Sequence, residues 1–364
     1  MKFSCVVVAI LMNACVLAQT PAVVKNVTVY KEPGRFGGWP ANNGIWCWGD
    51  EIVVGFVQGY FKNTTFGHAI DEKKPMLSRY ARSLDGGETW AIEVPSFLDA
   101  DGREKEVTEC PGGIDFSRPN FAMTLRMVSS KKGYSRFYCS ADRCRTWSGP
   151  FRLPTFERKT ISARTDYIVL GPHDLIACMT AGKENGREGR PFCTRTTDGG
   201  KTWDFVGWIA PEPKGYAIMP STVQAGPASF VTAIRCAEGE QYWIDLYRSD
   251  DAGKTWRFLN KPAENMGGNP ASMIRLKDGR IALTYGYREA PFGTRARLSA
   301  DDGRSWGPEI ILRGDAGCWD LGYPRTVQRA DGKIVTIYYF NDHPDQERYI
   351  AATIWDPGAP PAQK

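Results

Sequence analysis

Five times the chain repeats one eight-residue phrase, [Ser/Thr]-x-Asp-x-Gly-x-[Thr/Ser]-Trp. It reads at Ser83 to Trp90, Ser140 to Trp147, Thr196 to Trp203, Ser249 to Trp256 and Ser299 to Trp306, with Cys144 standing where the second copy should carry glycine. The aspartates fall at 85, 142, 198, 251 and 301, in steps of 57, 56, 53 and 50 residues. A repeat near this period marks a propeller or a solenoid before any other fold is considered. Each position has a physical task. The carboxylate accepts from backbone N–H groups of its own turn, the glycine supplies positive φ without steric cost, and the tryptophan is an apolar plug between neighbouring repeats. The phrase therefore describes a rigid hairpin turn, not a reaction centre.

Strands can be counted back from each phrase. Five repeated units and a sixth lacking the phrase, with inner strands Thr326–Arg329, Lys333–Tyr339 and Tyr349–Trp355, make six blades. The N-terminal stretch Val23–Tyr30 is expected to complete the sixth blade and close the ring, leaving no open edge. A proline register supports this. Pro111, Pro220 and Pro270 each stand 31 residues before their aspartate, Pro40 stands 45 before because of an insertion from Gly59 to Pro75, and Pro324 fills the matching place in blade 6. Proline suits the first residue of a strand, so these positions should ring the mouth of a central channel. The repeated turns should lie on the opposite face.

The net charge of +5 is small, and no Lys/Arg run exceeds two residues. That gives no footprint for nucleic acid. The apolar run from Cys5 to Leu17, broken by Asn13 and followed by Val16-Leu17-Ala18 before Gln19, reads as an export signal over residues 1–18. The mature domain would be 19–364, secreted or periplasmic; a lipoprotein anchor at Cys15 fits less well, since Met12 stands where leucine is preferred. No other stretch is long enough to span a membrane. Cys178 and Cys193 flank a strand-loop-strand and can face one another, as a disulfide or as buried thiols. No CxxC or His/Cys cluster points to a metal, and no cofactor is implied.

The expected mouth is rich in arginine: Arg35, Arg164, Arg235, Arg288, Arg295 and Arg325. Converging guanidinium groups repel unless they share an anion, and a planar fork suits a carboxylate. The competing use is structural pairing with Asp166, Glu289 or Asp320. His68, in the blade 1 insertion, is a candidate acid/base, and Trp39 and Trp319 are candidate stacking surfaces for sugar rings.

From about residue 30 to 356 the chain resembles the sialidase superfamily of Asp-box, or BNR-repeat, proteins. The resemblance rests on the five boxes and implies an all-β, six-bladed propeller. It further implies an arginine clamp at Arg35, Arg235 and Arg288, an acid/base at Asp71 with His68 beside it, and a nucleophile at Tyr323. Arg164, Arg325 and Asp320 join as substrate-binding residues. Two departures stand out. The usual Arg-Ile-Pro is replaced by Arg35-Phe36-Gly37-Gly38-Trp39-Pro40, and Pro220-Ser221 stand where a glutamate would assist the tyrosine. An unassisted phenol, with a pKa near 10, is a poor nucleophile at neutral pH; Glu109, Asp166 or Asp320 are the candidate substitutes. The expected activity is an exo-acting glycoside hydrolase on a terminal acidic sugar. The alternatives are a polysaccharide lyase on uronic-acid glycans and a non-catalytic glycan-binding propeller. In each case the partner is a carbohydrate.

Overall fold

A computed structural model describes residues 20–64, 67–99, 102–128 and 133–360. The signal expected over 1–18 lies outside the described residues. Six antiparallel sheets follow one another along the chain, each a blade. Blades 4 and 5 are regular four-stranded meanders, Tyr216–Gly226 to Arg257–Glu264 and Ala271–Arg275 to Ile310–Arg313. In blades 1 and 3 two short inner segments share one neighbour: Arg35–Gly38 and Ile45–Trp48 both pair Glu51–Tyr60, and Ile161–Ser162 and Tyr167–Val169 both pair Leu175–Gly182.

The ring closes as the sequence suggests. Ala22–Tyr30 pairs Tyr349–Asp356 as the outermost strand of blade 6, beside Ile334–Phe340 and Gly322–Gln328. Blade 2 departs from expectation. It has three strands, Ala122–Met127, Ser135–Ser140 and Ser148–Arg152, and the segment after Pro111 is not an inner strand. Instead Gly113 N and Ile114 N donate to Asp198 O and Gly199 O of the third box. Pro111 therefore lies against the box face, and the proline register is left with Pro40, Pro220, Pro270 and Pro324, in blades 1, 4, 5 and 6.

The boxes behave as one part used five times. In each, a carboxylate oxygen of the aspartate accepts from the backbone N–H four residues on, at 2.8 to 3.0 Å, and the other accepts from that residue's hydroxyl at 2.5 to 2.7 Å. The opening Ser or Thr oxygen accepts from the N–H at the glycine position, Cys144 included. That position always has positive φ; Cys144 adopts 67° despite its side chain. The box tryptophans reach the preceding blade: Trp203 packs with Phe137 and Cys139, and Trp306 with Val231 and Leu246. Burial between blades, not within them, thus makes the core. Cys178 and Cys193 face each other across adjacent strands as thiols, sulfur to sulfur 3.1 Å.

Candidate functional site

Three mouth residues hold positive φ, and each precedes a register proline: Trp39 (56°), Met219 (56°) and Tyr323 (52°). The residue before proline is normally extended, and each such departure costs about 1–3 kcal/mol. In blades 4 and 6 the same feature breaks the strand register, between Ile218 and Ser221 and between Gly322 and Arg325. Asn269, itself before Pro270 and fully buried, secures the blade 6 turn. Its Oδ1 accepts from Tyr323 N at 2.8 Å and its Nδ2 donates to Leu321 O at 2.9 Å. A Cβ on Gly322 would lie 2.3 Å from that amide, so glycine is required there. Met219 packs with Ala41 and Ile218, and Tyr323 rests on this cluster.

Tyr323 is thereby fixed among cations. Arg235 Nη1 donates to its hydroxyl at 3.0 Å, and the guanidinium carbons of Arg235 and Arg288 lie 5.8 and 5.6 Å from its ring centroid. Burial alone would raise the phenol pKa. The charges of Arg235, Arg288 and Arg164 outweigh it and hold the phenol below its ordinary value. Among the described residues neither Arg235 nor Arg288 forms an ion pair with a carboxylate, and Arg235 Nε is buried without a protein partner. Arg288 is nevertheless well occupied: it donates to Leu321 O, Gly268 O and the Tyr339 hydroxyl. Arg235 is the guanidinium with capacity to spare.

His68 faces Tyr323, ring centroids 6.3 Å apart, between Trp39 at 5.2 Å and Trp319 at 5.8 Å. Beneath it lies Asp320, only 1% exposed. Asp320 Oδ1 meets His68 Nδ1 at 2.6 Å and accepts from the Tyr339 hydroxyl at 2.8 Å; Oδ2 accepts from Ala69 N at 2.9 Å and Arg348 Nε at 3.0 Å. Burial would raise this carboxyl, but the His68 contact, the Ala69 N–H and the Arg348 charge hold it well below the usual carboxylate range. An ionised carboxylate only accepts. Nδ1 therefore carries the proton, and Nε2 is the nitrogen left to act on a ligand. The chain Arg288 to Tyr339 to Asp320 ties this histidine to the arginine side of the site.

Several sequence expectations are corrected. Arg35 stands apart from the Tyr323 group. Its strand pairs Arg35 with Tyr60, and its guanidinium carbon lies 3.9 Å from the Tyr60 ring centroid, on the opposite strand face from Phe36, which packs on Trp39 and Tyr339. Asp71 shapes a local turn: its Oδ1 accepts from Lys73 N at 3.2 Å and its carbonyl from Lys74 N. Arg164 pairs with Glu188 at 2.6 Å and is held by Asn42, so it is not a free cation at the mouth. Arg325 lines the central channel, donating to Ala41 O and Thr165 O, with burial lowering its pKa to about 10. Asp320 supports His68: it reaches the edge of a cleft, but both its oxygens are taken by protein partners. Glu109 pairs with Arg152 on the surface, and Asp166 lies in the channel, bonded to Thr222, so neither replaces the missing glutamate beside Tyr323. Sequence reasoning passed over Asn269, Tyr339 and Arg348 as functional groups. The position before Pro270 marked the first; the other two carry no local signal.

The described residues form open clefts around this centre. One of about 440 Å³ is lined by Tyr216, Arg235, Tyr242, Arg288 and Trp319. Another of about 670 Å³ begins on Trp319 and Asp320, and a third of about 350 Å³ begins on Trp39. No helix among the described residues is long and apolar enough to cross a membrane.

No curated protein matches the sequence. Among solved structures the fold is similar to a protein of unknown function from Dyadobacter fermentans, at 22% identity and TM-score 0.70, covering 92% of this chain and 99% of that one. It is also similar to a mutant NanB sialidase from Streptococcus pneumoniae (11% identity, TM-score 0.59, 93% and 70% covered). A third is the α-L-arabinanase of Penicillium chrysogenum in complex with arabinobiose (14%, 0.58, 91% and 98%). At such identities the likeness shows the fold. The BNR repeat-like domain matches residues 114–336, more than half of the sequence, and with its boxes and its six-bladed ring this chain belongs to that family.

Proposed function

We propose that the protein is a glycosidase that cleaves a glycan at a sugar bearing a carboxylate. Arg235 receives the carboxylate, Tyr323 is the nucleophile, and His68, entering the step as the imidazolium paired with Asp320, gives its Nε2 proton to the leaving oxygen. The observation that carries the reading is the position of the Tyr323 phenol, its hydroxyl 3.0 Å from Arg235 Nη1 and its ring 5.6 Å from the Arg288 guanidinium carbon. Cations on the phenol take over what an assisting glutamate would otherwise do: they favour the ionised, reactive form. A sialidase and an arabinanase among the structural neighbours support action on glycans. The export signal read over residues 1–18 belongs to the same proposal, since it would carry the enzyme to extracellular polysaccharide.

A second reading has its own support. Asp71 and Asp320 are both engaged elsewhere, which leaves tyrosine, histidine and arginine as the reactive set. Removal of the proton next to a uronate carboxylate, followed by β-elimination, uses those groups and no carboxylate. The protein should be incubated with sialosides and with uronate-containing oligosaccharides, and the products weighed. Hydrolysis adds the mass of water across the products. Elimination adds none and leaves an unsaturated sugar that absorbs in the ultraviolet. Turnover of neutral glycans alone would overturn both readings. With hydrolysis, the pH at which kcat/KM rises should move upward in Arg235→Gln, because the phenol loses its nearest cation.

A further inference from the structure

Trp319 stands between two clefts of different charge. It is 38% exposed and contributes to both. On one side lie Arg235 and Arg288, which have no carboxylate partner among the described residues. On the other side, the larger cleft is lined by Asn63, Gly67, Cys318, Asp345 and Arg348. Here the single guanidinium is already spent: Arg348 donates to Asp320, Pro344 O and Gln346 O. Among the described lining residues the remaining charge is the Asp345 carboxylate, 68% exposed at the side chain, which accepts from Asn63 Nδ2 at 2.8 Å and has His343 Nδ1 3.8 Å away. Trp319 is the residue the two clefts share, and His68 packs beside it, ring centroids 5.8 Å apart. Both clefts, at about 440 and 670 Å³, fall within the range of roughly 300–1,000 Å³ that holds a ligand of several rings.

We infer that the enzyme cuts inside a chain, at a junction between an acidic sugar and a neutral one. The acidic sugar lies on the Arg235 side and the neutral sugar stacks on Trp319 in the larger cleft. This rests on the reading of the site as glycan-cleaving, and adds to it where the chain is cut and what stands on the far side of the bond. A second carboxylate in the larger cleft would meet Asp345, and among the described lining residues the one guanidinium, Arg348, is already paired. A neutral ring meets an indole face, an amide and backbone, which suit a hydroxylated sugar.

The test uses two sets of oligosaccharides, one alternating an acidic with a neutral sugar and one of acidic sugars only, each with its acidic terminus either free or capped. Cleavage of capped alternating chains into fragments of two or more sugars is expected, with the neutral sugar on the leaving fragment. Trp319→Ala should raise KM for such chains about tenfold, with Trp319→Phe restoring most of it. Asp345→Ala should lower KM for the all-acidic set. Release of single acidic sugars from free termini, with capped chains resistant, would overturn the inference and leave the glycosidase reading standing. No cleavage in either set would overturn both.

Discussion

On the box face five aspartates make the same bonds, each within four residues of itself: Asp85 to Thr89, Asp142 to Thr146, Asp198 to Thr202, Asp251 to Thr255, Asp301 to Ser305. At the mouth one aspartate, Asp320, accepts from residues 68, 69, 339 and 348, drawn from blade 1 and from the two sides of one loop of blade 6. The residue type is the same and the chemistry of each bond is similar. The difference is distance along the chain. A box folds its own turn whether or not the ring has closed; the mouth exists only after closure has brought blade 1 beside blade 6. The first is therefore built for stability and repeats. The second is built for function and cannot repeat.

The largest expected effects follow from separating these two kinds of site. Tyr323→Phe removes one oxygen and leaves the Asn269-held turn intact. Loss of about a thousandfold or more in kcat is expected, with an unchanged melting temperature. Asp251→Asn should do the reverse, lowering stability while kcat stays as it was. Steady-state kinetics and thermal melts on the two variants make the check, and a box variant that lost activity without losing stability would break the contrast.

Next in size is Asp320→Ala. It leaves Arg348, 4% exposed, without its carboxylate and frees His68 from its support. Breaking a buried ion pair by removing one partner costs about 3–5 kcal/mol. Denaturant unfolding should show a loss of that order, against a much smaller one in His68→Asn, whose ring is partly exposed. Activity should fall in both.

What the sequence revealed divides along the same line. The boxes, their glycines and the closing strand at Ala22–Tyr30 were legible because each is a local pattern or a matter of counting. The proline register points to the mouth for Trp39, Met219 and Tyr323, since a residue before proline at a strand start projects from a fixed place, and Pro270 marks the position of Asn269 without giving it a role. It misled at Pro111, where the chain runs to the third box instead. Arg35 was misassigned for a different reason. Which face of its strand a residue occupies depends on pairing with Glu51–Tyr60, and one step of register sends the side chain to the other side. Asp320 reads from the sequence as a substrate contact or as a substitute for the glutamate, but its role depends on His68, some 250 residues away in sequence. Nothing near Asp320 encodes that contact.

The central channel offers a third case, intermediate between box and mouth. Burial raises the Asp166 carboxyl to about 6, partly offset by hydrogen bonds from Thr222 and by Arg325. The folded protein therefore holds a proton that the unfolded chain, with an ordinary carboxyl near 3.8, has already released. Stability contributed by this group is full below pH 4 and falls as pH rises to about 6, after which it is level. The shift corresponds to about 2–3 kcal/mol. Melting temperature against pH should show this decline in the parent protein and lose it in Asp166→Asn.

The smallest effect belongs to a single box, and there the sign is opposite. Backbone and hydroxyl donors hold the Asp85 and Asp251 carboxyls down at about 2, below the ordinary 3.8. Groups depressed on folding stabilise above the unfolded pKa and lose that contribution as pH falls through the folded one. Acid should therefore leave the boxes intact down to about pH 4 and weaken them between about pH 4 and 2. Asp251→Asn removes the charge from one turn and keeps its shape, so a loss of about 1 kcal/mol is expected at neutral pH, shrinking toward zero as the parent is acidified through that window. If the deficit stayed constant down to pH 2, the box aspartates would be acting through shape alone, and the charge-assisted bonds to Thr255 would contribute nothing. A deficit that shrinks on schedule would assign the stability of the repeat to its carboxylates, leaving the uncompensated charge at Arg235 to the mouth.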